Sequence, residues 1–160
     1  MRANPLDLVL RATKLSVGLT KTAIEWQLDI SNPGDGHVVA LRIWSEPGTA
    51  HGIGGGREQL ARPMGEDAGL HTIASLFPGA RGRIEGEWRL HHRDAKPVGD
   101  ATPALLVPLA RFRFVGAGIA PFRRAFLIGL PPAGPGQKIR PVRLDHGQQV
   151  HTRLAVRPVG

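Results

Sequence analysis

Apolar and polar residues alternate along two runs between Ala23 and Trp44, which meet at Asn32-Pro33-Gly34-Asp35-Gly36. Ile24, Trp26, Leu28 and Ile30 fall on one side of the first run and Glu25, Gln27, Asp29 and Ser31 on the other, the period of two that a half-buried strand requires. Val39, Leu41 and Ile43 repeat the pattern beyond the turn residues, so the segment reads as a β-hairpin. Upstream, Leu6, Leu8 and Leu10 alternate with Asp7, Val9 and Arg11, and the segment from Leu6 to Val17 predicts a strand that joins the unit through the Gly18 region.

After Trp44 the alternation collapses into Pro47, Gly48, Gly52 and Gly54-Gly55-Gly56, followed by a short predicted helix over 57–64 that begins at Arg57 and that Pro63 must end. Phe77-Pro78-Gly79 reads as a turn that launches a strand over Gly82 to Leu90, with Ile84, Trp88 and Leu90 inward and Arg83, Glu85, Glu87 and Arg89 toward water. Leu105 to Val115 and Ala125 to Leu130 are apolar on both sides over much of their length, as central strands are. Val142 and Leu144 belong to the last predicted strand, after a Pro/Gly-rich connection over 131–136. About seven strands with almost no helix predict an all-β fold, an immunoglobulin-like antiparallel β-sandwich occupying residues 1–160 as a single domain. Trp26 and Trp88 are its expected large core anchors.

Composition narrows the chemistry. The chain of 160 residues contains no cysteine, which excludes disulfides, thiolate metal sites and thiol nucleophiles. It contains no tyrosine either, so neither the inter-sheet disulfide nor the tyrosine corner of antibody domains can form. The start, Met1-Arg2-Ala3-Asn4-Pro5, has no signal-peptide core, and no run approaches the roughly 18 apolar residues of a membrane span, so the chain as given reads as soluble. A formal charge of +8 is carried mostly by arginine, with Lys14, Lys21, Lys96 and Lys138 the lysines, and it would attract nucleic acid or anionic lipid. The basic residues are spread along the whole length.

Candidate motifs are few. Gly52-Ile53-Gly54-Gly55-Gly56-Arg57 resembles a phosphate cradle, but a Walker loop ends in Gly-Lys-Ser/Thr and a dinucleotide loop needs a βαβ unit, so a surface loop is the better reading. Histidines 37, 51, 71, 91, 92, 146 and 151 lack metal-ligand spacing, and the adjacent His91 and His92 point to opposite faces of a strand. Ser16, Ser31, Ser45 and Ser75 lie in no Gly-x-Ser-x-Gly elbow. Glu85 and Glu87 share a strand face with Arg83 and Arg89, which would hold them ionised as a salt-bridged surface. Arg111-Phe112-Arg113-Phe114 and Phe122-Arg123-Arg124 interleave basic and aromatic residues as a single-strand-binding surface does. Sheet alternation divides the first of these into core phenylalanines and a basic outer side.

The segment Ile24-Glu25-Trp26-Gln27-Leu28-Asp29-Ile30-Ser31-Asn32-Pro33-Gly34-Asp35 resembles the strand and Asn-x-Gly-Asp turn of bacterial immunoglobulin-like modules of the adhesion and cell-surface type, and Leu76-Phe77-Pro78-Gly79 is similar to their Leu-x-Pro-Gly turn. Ala104 to Arg111, Phe126 to Gly129 and Pro141 to Asp145 resemble successive segments of an uncharacterised proteobacterial family, so that the likeness covers most of the chain from Leu6 onward. The resemblance implies a β-sandwich domain often carried behind an N-terminal membrane anchor, hence association with a membrane or the cell envelope, and it assigns no activity and no functional residue.

Together these readings lead to a non-enzymatic interaction or structural module, with no catalytic, cofactor or metal residues and another protein as partner. Its contacts are expected at a sheet edge or in the irregular region from Gly48 to Met64. The alternative is an electrostatic binder of nucleic acid or anionic lipid that uses Arg111, Arg113, Arg123 and Arg124.

Overall fold

A computed structural model describes residues 5–49, 65, 68–92, 105–144 and 147–159. They form β1 (Asp7–Val17), β2 (Lys21–Ser31), β3 (Val38–Thr49), β4 (Gly69–Leu76), β5 (Arg81–His91), β6 (Leu105–Leu106), β7 (Pro108–Ala117), β8 (Phe122–Gly129), β9 (Val142–Arg143), β10 (Gln149–His151) and β11 (Ala155–Val159). One antiparallel sheet has the order β10-β1-β2-β5, a second has β11-β8-β7-β3-β4, and β6 pairs with β9 in a short ladder. The two large sheets pack face to face as a β-sandwich, and no helix occurs among the described residues. In immunoglobulin lettering β1, β2 and β5 stand as A, B and E, and β3, β7 and β8 as C, F and G, while β4 pairs with β3 instead of lying beside β5. The helix expected over 57–64 falls outside the described residues.

The hairpin expected at 32–36 is not a hairpin. β2 lies in one sheet and β3 in the other, so the turn carries the chain across the sandwich. The true hairpin is β1–β2, paired from Asp7↔Ser31 to Val17↔Thr22 and closed where Gly18 N donates to Lys21 O at 2.8 Å. Alternation is the same whether the next strand pairs beside or packs across, which is why the pattern alone mistook a crossing for a hairpin. Asn32 explains the crossing. It is 3% exposed, its Nδ2 donates to Gly36 O at 2.8 Å and to Leu76 O at 2.9 Å, and its Oδ1 accepts from Gly34 N at 3.1 Å. Its backbone also bonds Ala80 O and Gly79 N, so one buried side chain and its own peptide groups fasten this crossing to the β4–β5 turn, where the chain returns to the first sheet.

Two bulges reset the phase of the pattern. In β1 the register slips between Ala12 and Lys14, moving the inward set from Leu10 and Ala12 to Leu15 and Val17. In β3 it slips between Val39 and Arg42 around Ala40, whose φ is 52°. Val38 is therefore buried at 2% exposure while Val39, expected inward, stands 40% exposed. Leu41 and Ile43 are buried as expected, and so are Ile84, Trp88 and Leu90.

At the centre Trp26 and Trp88 stack with ring centroids 4.5 Å apart, and Phe112 of the facing sheet meets Trp26 edge-on at 5.6 Å. Such pairs contribute about 0.5–1.5 kcal/mol each beyond the apolar area they bury. Trp88 Nε1 donates to Ser45 Oγ at 3.3 Å, a polar tie between the sheets inside the core.

Candidate functional site

The outer face of the five-stranded sheet carries one unbroken row. Leu70 of β4 is opposite Trp44 of β3, Trp44 is opposite Arg113 of β7, and Arg113 is opposite Arg123 of β8. Neighbouring strands lie about 4.8 Å apart, so the row spans roughly 14 Å. Leu70 is 52% exposed, Trp44 is half-buried, and Arg113 and Arg123 are exposed. Arg42, two residues before Trp44 on the same face, is exposed as well. The guanidinium groups of Arg42 and Arg113 lie over the Trp44 ring at 5.3 and 5.2 Å from its centroid, each contact worth about 0.5–1 kcal/mol at such a site. Their planes are thereby oriented on a rigid aromatic support. Arg113 and Arg123 stand directly opposite each other across the β7–β8 pair, two like charges on one face.

The four arginines expected to act together are not brought together. Arg111 shares a face with Arg113 but is 7% exposed, and its Nη1 donates to Glu46 Oε1 at 2.7 Å. Glu46 also accepts from Gly65 N through Oε2 at 2.8 Å, so both its oxygens are occupied. Arg111 is thus a structural ion pair where an exposed contact residue was expected. Arg124 is opposite Phe112, on the inward side of β8; its guanidinium lies 4.9 Å from the Phe122 ring centroid and donates to Arg123 O at 2.7 Å. Burial lowers its pKa from the ordinary arginine value. Arg113 and Arg123 remain from the expected set, joined by Arg42 and Trp44, which sequence reasoning missed. The signal was present in Leu41-Arg42-Ile43-Trp44, where the two buried residues flank an outward arginine and send the tryptophan outward too.

The outer face of the other sheet is internally neutralised. Asp29 accepts from Arg83 Nε at 2.6 Å and from Arg11, Glu87 pairs with Arg89 at 2.8 Å, and Glu85 accepts from Gln27 at 3.3 Å. Of the salt bridges expected on this face Glu87–Arg89 forms, whereas Arg83 is engaged by Asp29 and Glu85 meets Gln27 in place of an arginine. The Arg83 hydrogen bond, followed by that of Arg11, holds the Asp29 carboxyl below its usual pKa. Because the folded value is the lower one, its contribution is complete above the unfolded value near 3.8 and is lost as pH falls through the folded value. Acid titration of stability should therefore show a shallower acid limb in Asp29→Asn than in the native chain, the two curves converging at the acid end. Parallel curves would contradict this role.

Among the described histidines, His92 is bonded through Nε2 to Thr22 Oγ1 at 2.9 Å, and His37 stacks on Phe77 at 4.1 Å. Thr22 is fully buried, which makes the Thr–His pair a structural tie. His51, His146 and the glycine-rich run over 52–57 lie outside the described residues. Among the described residues no three His, Asp or Glu side chains are grouped to hold a metal ion.

The arrangement defines a β-sandwich with an aromatic-supported basic row on one outer face. No protein-family model matches the chain, and no curated protein sequence matches it significantly. Among solved structures it is similar to a Bordetella pertussis protein provisionally named ApaA, at 15% identity and a TM-score of 0.32, over 95% of this chain and 98% of that one. These comparisons assign no family; what the strand order itself shows is a β-sandwich.

Proposed function

We propose that this protein acts by binding, not by catalysis, and that the row Leu70, Trp44, Arg113 and Arg123, with Arg42, receives an acidic segment of a partner protein. The observation that carries the reading is the pair of opposed arginines beside a tryptophan overlaid by two guanidinium groups. Guanidinium forks suit carboxylates, and the exposed Leu70 at the far end of the row supplies an apolar contact for the same segment. Nucleic acid fits less well, because the arginines occupy the Trp44 ring on which a base would stack.

The test is binding of a fluorescent oligo-glutamate peptide of about ten residues to the full chain at low and moderate salt. Affinity should weaken with salt, and Arg42→Ser/Arg113→Ser/Arg123→Ser should lose about tenfold or more. A control with equal charge removed elsewhere, Lys21→Ser/Lys138→Ser/Arg153→Ser, should lose much less. Equal losses in the two triple variants would reject the row as the site. Tighter binding of a single-stranded oligonucleotide, with a log–log salt slope near about −2 that the first variant flattens, would transfer the site to nucleic acid.

A further inference from the structure

The outer edge of β5 is a second surface, independent of the basic row. β5 ends its sheet, and among the described residues no strand lies beside it. It is eleven residues long, against eight, three and five for the other end strands β4, β10 and β11, and its ladder to β2 runs from Lys21↔His91 to Ser31↔Arg81 without a bulge. It contains neither proline nor lysine. Natural sheets commonly shorten, bulge or interrupt their edges, and a long regular edge left without these devices accepts a further strand.

The two ends of β5 show which backbone groups the edge offers. Ala80 O accepts from Asn32 N at 3.1 Å and His92 N donates to Thr20 O at 2.8 Å, so the even-numbered residues turn their peptide groups toward β2. The N–H and C=O of one residue in an antiparallel strand point the same way, and successive residues alternate. Arg81, Arg83, Glu85, Glu87 and Arg89 therefore direct theirs away from β2. Glu85 agrees with this: its carbonyl oxygen lies 3.1 Å from Nε2 of His71, on β4 of the facing sheet, and a second lone pair remains for another donor. The side chains of the same five residues are exposed on the outer face, two arginines followed by two glutamates and a third arginine. Arg81 makes no ion pair among the described residues, and Glu87 is paired through Oε1 alone.

That order is self-complementary. With a second copy set antiparallel about a two-fold axis at Ile84, Arg81 stands opposite Glu87 of the copy and Arg83 opposite its Glu85, and the symmetry repeats both pairs. Every outward charge from Arg81 to Glu87 then meets its opposite. Moving the axis to Gly86 sets Glu85 against Glu87 and Arg83 against Arg89. Moving it to Trp88 keeps Glu87 opposite Arg89, a pair already made within one chain, and leaves Arg81 and Arg83 with nothing opposite them in β5. An axis at 83, 85 or 87 sets a charge against its own copy. Opposite charges directly across an antiparallel pair stabilise it and like charges disfavour it, so the sequence selects both the partner and the register.

We infer that the β5 edge pairs antiparallel with β5 of a second copy of this chain about a two-fold axis at Ile84, joining the two four-stranded sheets into one of eight strands. Arg83 and Glu85 exchange backbone hydrogen bonds across the axis.

The experiment is sedimentation equilibrium of the full chain at loadings from about 10 μM to about 1 mM, where a monomer–dimer equilibrium is expected. Arg81→Glu and Glu87→Arg alter exposed side chains, and each sets like charges opposite one another at two symmetry-related places. Either variant alone should self-associate at least about tenfold more weakly. An equimolar mixture of the two restores opposite charges at both places and should associate within about threefold of the native chain. In the native chain the amide protons of Arg83 and Glu85 should exchange more slowly at the highest concentration than at the lowest. Arg42→Ser/Arg113→Ser/Arg123→Ser, which disables the basic row, should dimerise as the native chain does. A chain that stays monomeric over the whole range, a dimer that Arg81→Glu and Glu87→Arg leave unchanged, or a mixture no tighter than its separate components would overturn the proposal.

Discussion

Trp26→Ala should destabilise the protein by about 3–5 kcal/mol, the range for a large aromatic removed from a packed core, and lower Tm by roughly ten degrees. The residue stacks on Trp88, meets Phe112 and His71 edge-on, and is 2% exposed, so its loss opens a cavity between both sheets at once. Denaturant unfolding checks this, the midpoint falling with an unchanged slope. Trp26→Phe should cost less, because it keeps the ring contacts and removes an indole N–H that has no partner. A loss below about 1.5 kcal/mol for the alanine variant would mean that the facing sheets collapse into the space.

Arg111→Ala and Arg113→Ala should separate sharply although the residues are neighbours on one strand face. The first leaves Glu46 in a largely covered site without its cation, and breaking a buried pair from one side costs about 3–5 kcal/mol. Glu46 is somewhat exposed, with 19% of its side-chain surface accessible, which places the expectation toward the lower end. Arg113→Ala removes an exposed arginine from Trp44 and should cost no more than about 1 kcal/mol while weakening capture of an acidic peptide. Comparable stabilities for the two variants would show that the Glu46 pair contributes little. Arg111→Met, with Glu46→Gln, should recover part of the loss by removing both charges together.

Alternation in the sequence located β1, β2, β5, β7 and β8 and chose the inward residues of β2 and β5 correctly, because both faces of those strands keep a strict period of two along their length. It also joined β1 to β2 through Gly18 correctly, but it mispaired β2 with β3. β2 and β3 were read as partners because they follow one another across a turn-rich segment, while the deciding interaction, Asn32 Nδ2 to Leu76 O, joins residues far apart in the chain. Val39 was assigned to the wrong face because a single residue at positive φ, Ala40, shifts the phase, and an alanine carries no warning of that. β4, β10 and β11 were missed: β4 has mostly exposed residues, and β10 and β11 are short and contain few large apolar side chains. The basic surface was half legible. Arg113 and Arg123 were found from the interleaved arginines, but the alternation that placed Arg111 outward is silent about Glu46 arriving from β3 to cover it.

The strand order also determines how the chain divides. The first sheet draws on β1, β2, β5 and β10 and the second on β3, β4, β7, β8 and β11, so the chain visits the two layers in turn. No single cut of the backbone separates one layer from the other. A protease nick between any two of the main strands would leave fragments that each hold edges or centres of a shared sheet, interleaved like the fingers of clasped hands, and the nicked molecule would stay assembled until denaturant released both pieces.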